Sequence, residues 1–220
     1  AKKKKKPFSK EEYMEGFGHY YRLMMTSVGE TLGDLKTYAP NYKGQGYEIA
    51  GFVWFQGFND KFSDHSTGTY QENMAHFIRD VRKNLKLPKL PFVIGAMGHQ
   101  GSEQKGTTKI LADAQIATAQ MPEFKGNVTA VLTENYWDAE LAELKARGGK
   151  VKARSQELSK DKSFTRTQRE EALTKYRAEL YTPRETEILK GSSNAEYHYN
   201  GSAKIMALIG KGFADSIEKM

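Results

Sequence analysis

The sequence predicts an α/β fold organised on a mainly parallel, doubly wound sheet. Three observations carry that prediction. Three apolar runs, residues 49–56, 92–97 and 128–132, are rich in β-branched and aromatic side chains, as strands buried on both faces are. Helical spacing fills the intervals between them, with Tyr70, Met74, Phe77, Val81 and Leu85 in the first and an alanine-rich stretch over 110–120 in the second. Each run also stops abruptly in a polar tail: Gln56-Gly57 with Asn59-Asp60, then Gly98-His99-Gln100-Gly101, then residues 134–138. Strand, helix, strand taken twice requires right-handed crossovers between parallel strands. The three tails then share one side of the sheet, where open α/β sheets keep their crevices.

The remaining elements follow in chain order. Residues 1–8 form a basic N-terminal segment, and 9–220 read as one domain. Ser9 with Glu12 makes a capping box. Tyr13, Phe17, Tyr20 or Tyr21, Met24, Val28, Leu32 and Leu35 then recur every three or four residues, which predicts a long amphipathic helix covering a sheet and ending before Pro40. Glycines at 16, 18, 29 and 33 weaken that helix and permit close packing. A glycine-rich loop over 41–46 leads into the first strand, and 61–68 read as a polar surface loop. After the third strand, residues 141–164 are charged and less regular, with Gly148-Gly149 as a breaker, and 167–180 form a helix with a thin apolar stripe. Together 141–190 read as a charged excursion or lid. Ile205, Leu208, Ile209, Phe213 and Ile217 mark a closing helix, with His198 in the loop just before it.

The totals exclude several classes. At 220 residues the chain suffices for one well-cored domain. No 18-residue apolar run exists to span a bilayer. The net charge of +7 is local: five lysines fall in residues 2–6, and nine basic residues against two acids lie between Lys145 and Arg169. Those blocks lack the interleaved aromatics that stack bases, so nucleic acid is not an expected partner. The absence of cysteine excludes thiolate catalysis and a disulfide scaffold and leaves the redox compartment open. Ala1 and the lysines after it are not a secretion signal, which suits a cytosolic chain or a mature product.

Among five histidines, His19 and His76 fall in helices and His65 in a surface loop. His99 and His198 stand in loops at element ends, where a general base is held yet reachable. Asn59 can donate an amide N–H to a developing oxyanion, an interaction worth about 10²–10³ in rate. Asp60 orients a base or caps the following turn. No histidines pair at i and i+4 and the acids are scattered, so no metal site is expected. No phosphate-binding or dinucleotide fingerprint is present, and no cofactor is expected. Ser192 and Ser193 lie near His198 but lack a strand-to-helix elbow, so neither reads as a poised nucleophile.

The run Trp54 to Asp60, WFQGFND, resembles the third conserved block of the SGNH (GDSL-like) hydrolases, with Gly57-x-Asn59-Asp60 as its G-x-N-D signature. The aromatic-Gln-Gly before it is similar to the sialate O-acetylesterase and acetylxylan esterase branch, carbohydrate esterase family 6. So are residues 70–98 with their Leu-Pro-Phe-Val-Ile-Gly core, and Tyr197-His198-Tyr199-Asn200-Gly201-Ser202. The resemblance covers roughly residues 13–101 and 192–220. It implies a three-layer α/β/α sandwich, flavodoxin-like, and an extracellular or periplasmic carboxylic ester hydrolase needing no metal or cofactor. The substrate would be an O-acetyl ester on a carbohydrate. His198 would be the base that deprotonates a serine, Asn59 an oxyanion donor, and Gly57 the residue allowing close approach beneath it. Gln56 would line the pocket, with Asp60, His99 and Glu196 as the further binding or orienting candidates.

Two departures stand out. The family's nucleophile turn near the amino terminus and its oxyanion glycine block have no counterpart before Asn59. Three residues before His198, where the family carries an acid, the chain has Ala195. The chain therefore resembles the later part of the domain. Its expected half-sheet would expose an apolar edge, so a second polypeptide or a lost N-terminal segment is expected to complete fold and site. The alternative is a catalytically inactive relative that binds a glycan or a protein through the same crevice.

Overall fold

The computed structural model describes residues 9–220 apart from the side chain of Glu12. The basic segment 1–8 and the capping box read from Ser9 and Glu12 therefore fall outside the described residues; Ser9 Oγ itself donates to Glu11 Oε2 at 3.1 Å. The chain divides into two units after Ile49.

In the first unit the single long helix predicted from periodicity is three: α1 (Lys10–Gly16), α2 (His19–Gly33) and α3 (Leu35–Tyr38). The chain turns at Phe17-Gly18, where Arg22 closes the break by donating to the carbonyls of Phe17 and Glu15 at 2.8 and 2.5 Å. It turns again at Asp34, whose N–H caps Glu30 and Thr31. No residue of α2 is buried. Periodicity thus located helical chain, while the polar breaks within it set the lengths.

The second unit is a three-layer α/β/α sandwich. Strands β1 (Phe52–Trp54), β2 (Phe92–Ala96) and β3 (Val128–Leu132) run parallel in the order β1-β2-β3. Val53 sits opposite Val93, and Ile94 opposite Ala130. Helices α4 (Asp64–Leu85) and α5 (Gly106–Ala119) cover one face, where Phe77 packs edge-on to Phe52 and Phe92. The closing helix α9 (Ala203–Glu218) covers the other, with Phe213 against Phe55. Between the layers β2 is buried throughout.

β1 departs from expectation. An eight-residue strand buried on both faces was predicted, but only three residues join the ladder and Val53 is 40% exposed. β1 is an edge strand of this sheet, and the Gln56 carbonyl leaves the ladder to accept side-chain hydrogen bonds. β2 and β3 stand where the apolar runs predicted them.

Two further differences concern helices. The loop read over 61–68 is mostly helix, because Ser63 caps α4 by accepting from the Ser66 N–H at 3.2 Å; His65 lies in its exposed first turn. The irregular segment read over 141–164 is largely α6 (Ala139–Lys160), unbroken through Gly148-Gly149. Two mid-helix glycines cost about 1 kcal/mol each. The Asp138 cap and the buried Leu141, Leu144 and Leu158, at about 1.5–3 kcal/mol per fully buried leucine, outweigh them. The predicted helix over 167–180 is α7 (Arg166–Leu180), followed by α8 (Pro183–Lys190); each opens with a capping box, Thr165 with Gln168 and Thr182 with Glu185. Arg147–Glu185 and Arg184–Glu140 ion pairs tie α8 to α6. Among the described residues no helix is long and apolar enough to cross a membrane.

Candidate active site

The site is assembled at the carboxyl ends of the strands. Gly57 has φ 143°, and a Cβ there would lie 3.0 Å from Gln115 Nε2 and 3.3 Å from Leu111 Cδ2. Glycine therefore lets the chain leaving β1 press directly on α5. Gln115, fully buried, donates to the Gln56 carbonyl and accepts from the Met97 N–H, each at 2.8 Å. The Tyr70 hydroxyl donates to the same Gln56 carbonyl at 3.0 Å, and burial holds its phenol above the ordinary range. These bonds lock the end of β1 to the end of β2.

Beyond this lock, Gln56 Nε2 donates to Asp60 Oδ2 at 2.9 Å. Asp60 is thus engaged in orienting Gln56. Asn59 is exposed beside them.

The second wall is the turn Glu196–Gly201. Tyr199, Asn200 and Gly201 take left-handed φ values of 50°, 58° and 58°, a conformation costing non-glycine residues about 1–2 kcal/mol each. Tyr199 holds it in place. Its hydroxyl accepts from the Gly98 N–H at 2.8 Å and lies 2.7 Å from Thr133 Oγ1. Thr133 gives its own proton to the Ala96 carbonyl at 2.6 Å, so Tyr199 is the donor to Thr133. Nearby, a Cβ on Gly98 would fall 1.9 Å from the Glu134 nitrogen, so only glycine lets the tails of β2 and β3 touch. Burial raises the Tyr199 phenol, with the Thr133 and Gly98 bonds opposing.

Between the two walls opens a cavity of about 400 Å³. Gln56, Gly57 and Asn59 line it from the β1 side and Tyr197, His198 and Tyr199 from the turn; Phe55, Phe58, Met97 and Met206 supply apolar surface. The His198 ring is 4.5 Å from the Tyr197 ring and 6.5 Å from Phe58, centroid to centroid. Among the described residues it makes no side-chain hydrogen bond. Ser192 and Ser193 turn their hydroxyls to the carbonyls of Leu189 and Gly201.

His99 stands apart from this lining. It is 2% exposed, packs against Phe58 and Tyr199, and places Nε2 3.3 Å from Lys61 Nζ. An ammonium only donates, so Nε2 accepts and the proton sits on Nδ1, which is buried without a partner among the described residues. Burial first, then the Lys61 charge, push the His99 pKa down, while Glu196 opposes. Burial also lowers Lys61, which lies 4.0 Å over the Phe58 ring. Glu196 thus acts on the Lys61–His99 pair, although it is only two residues from His198. Among the described residues no group of three histidine or acidic side chains is arranged to hold a metal ion.

Sequence reasoning missed the residues that build the site. Gln115 sits one turn after Leu111 on the buried face of α5, and a polar side chain at a core position was its only signal. Tyr70 and Tyr199 read as packing or flanking residues, yet their hydroxyls make the decisive bonds.

A crevice at the carboxyl ends of parallel strands in an α/β/α sandwich, with a G-x-N-D segment on one wall, is the arrangement of an SGNH-like α/β/α fold. The family model for carbohydrate esterases, sialic acid-specific acetylesterase, matches residues 9–143. The chain belongs to this carbohydrate esterase family. The matched range holds Gln56, Gly57, Asn59, Asp60 and His99, whereas Glu196 and His198 follow it. A probable carbohydrate esterase of Arabidopsis thaliana is 36% identical over 56 residues, which are 26% of this chain and 22% of that protein. The match thus spans about a fifth of that relative's length. No solved structure matches the chain.

Proposed function

We propose that this chain supplies the base and oxyanion walls of a carbohydrate O-acetylesterase. The observation carrying the reading is the shared cavity, lined by both Asn59 and His198. In the reaction a serine Oγ attacks the acetyl carbonyl while His198 takes its proton, and the Asn59 amide donates to the oxygen that becomes negative. His198 returns the proton to the departing sugar oxygen. Water, deprotonated by His198, then releases acetate from the acyl-serine. Gln56, steadied by Asp60, lines the substrate pocket. His99 and Glu196 orient Lys61 and Phe58 at its margin. His198 acts without a bonded carboxylate, as half of a dyad. The chemistry requires no metal or cofactor, and by family likeness the protein works in an extracellular or periplasmic setting.

The serine comes from a segment outside this chain, either a second polypeptide or a preceding stretch of the same one. The free edge of β1, with Val53 40% exposed, supports a further strand there. The test is acetate release from p-nitrophenyl acetate and from an O-acetylated sugar, using the intact assembly that contains this chain. His198→Ala should abolish it, and a fluorophosphonate label should map to a serine outside residues 1–220. An unchanged rate in His198→Ala rejects the proposed base.

One observation favours a second reading. The Phe58 and Tyr197 rings lie 5.4 Å apart, centroid to centroid, tilted by 31° beside an unbonded His198, an aromatic pair that suits a glycan-binding crevice without hydrolysis. Saturable oligosaccharide binding with no acetate release from the intact assembly would select it.

A further inference from the structure

We propose a second site at the opposite end of the sheet: a cavity formed by Arg82, Lys83 and Lys86 beside Phe124, which binds a phosphate or sulfate group. Arg82 defines its position. The guanidinium donates to the Leu90 carbonyl at 3.2 and 2.8 Å, and to the Asn127 carbonyl and side-chain oxygen at 3.0 and 2.6 Å. Leu90 and Asn127 precede β2 and β3, so this is the amino end of the parallel strands, away from the crevice holding Asn59 and His198.

The charge there is unbalanced. Arg82 is only 7% exposed, and among the described residues no carboxylate lies within 4.0 Å of it. Glu123 acts on Arg82 only through space, and a buried cation whose hydrogen bonds all go to carbonyl oxygens is costly without a closer counter-charge. The one acid in the cavity, Glu123, is already held by Arg79 in a two-point pair at 3.0 and 2.5 Å. Lys83 and Lys86 are exposed and form no ion pair among the described residues. Four cations, Arg79, Arg82, Lys83 and Lys86, and one acid, Glu123, therefore line a space of about 490 Å³, leaving three positive charges in excess. The carboxyl end of α4 accounts for part of this, since a helix terminus carries roughly half a negative charge. The Arg82 and Lys83 carbonyls of that terminus are already met by the N–H groups of Lys86 and Leu87. Half a charge does not balance three.

The donor set selects the ligand. The Arg82 guanidinium, its Nε and Nη2 already donating to Leu90 and Asn127, contributes fixed charge, and the two mobile ammonium groups supply donors that suit a compact oxyanion. Phe124 is buried behind the site, its ring centroid 5.6 Å from the Arg82 guanidinium carbon, and backs the cation. The site stands independently of the esterase reading.

The probes are inorganic phosphate and sulfate, titrated calorimetrically into the full chain at low ionic strength. Dissociation constants of about 1 mM or tighter are expected, weakening as salt is raised. Lys83→Met with Lys86→Met, both at the surface, should weaken binding about tenfold or more while the circular dichroism spectrum is retained. Glucose 1-phosphate binding more tightly than inorganic phosphate would identify a soluble phosphoester. Tighter capture by phosphatidylglycerol vesicles would identify a lipid headgroup. Either supports the oxyanion site. No binding of phosphate or sulfate at about 10 mM, or undiminished binding in the folded double variant, overturns it.

Discussion

The hydroxyl of Tyr199 accepts the backbone N–H of Gly98 at 2.8 Å, joining the turn that carries His198 to the end of the central strand. The same oxygen donates to Thr133, so one side chain spans the tails of β2 and β3. Where His198 can stand is set by the residue after it.

Tyr199→Phe should therefore lower stability by about 1–3 kcal/mol, because the Gly98 N–H is left buried without an acceptor. In the intact assembly it should also reduce acetate release. Urea denaturation of the folded variant measures the first effect, and an unchanged midpoint would contradict the role given to the hydroxyl.

Gln115→Leu removes the side chain that bridges Gln56 and Met97. The Met97 N–H loses its acceptor, at a cost of about 1–3 kcal/mol. Amide exchange at Met97 should accelerate beyond the change in global stability. By contrast Gln56→Ala, an exposed side chain whose carbonyl remains, should leave stability nearly unchanged.

Gly57→Ala meets both a φ of 143° and a 3.0 Å approach to Gln115. A loss of about 1–3 kcal/mol is expected. If the variant proves as stable as the parent by thermal denaturation, the close approach beneath Asn59 is not what glycine serves.

His99 predicts a pH dependence. Its folded pKa is depressed by burial and then by Lys61, with Glu196 opposing, while an unfolded histidine titrates near about 6.5. As pH falls through that value the unfolded chain takes up a proton that the folded chain refuses, so stability drops on the acid side. Urea midpoints at about pH 7.5 and 5.5 should differ in the parent and converge in His99→Gln.

Glu185 acts at lower pH. Arg147 and the Thr182 N–H hold its carboxyl at about 2, against an ordinary value of 4.5. The stabilisation is present above 4.5 and disappears as pH falls towards 2. Arg147→Met should return the Glu185 titration, followed by carboxyl NMR, towards the ordinary value.

Much of the second unit was legible in the residues. The strand–helix–strand order, the parallel sheet and the buried positions Tyr70, Met74 and Val81 followed from spacing alone. The closing helix did too, with Ile205 and Ile209 in the core. So did the one side of the sheet shared by the polar tails at Asn59 and His99, whereas the pairing of Asn59 with His198 was an expectation from the family resemblance. The length of β1 was not legible, because apolar residues beyond Trp54 serve turn and cavity equally well. Nor was the continuity of α6: Gly148-Gly149 signals a break unless the leucines flanking it find a core.

Local sequence settled the order and type of the elements around the sheet, since these depend on periodicity within a few residues. It also marked the polar tails, because a buried run must end where its backbone meets polar partners. Packing of the layers is what lets Tyr199 hold the His198 turn, Gln115 lock β1 to β2, and Asp60 accept from Gln56. It also places Arg82 against the carbonyls of Leu90 and Asn127 at the far end of the sheet. Those are bonds between residues distant in the chain, and their geometry exists only once the layers have packed.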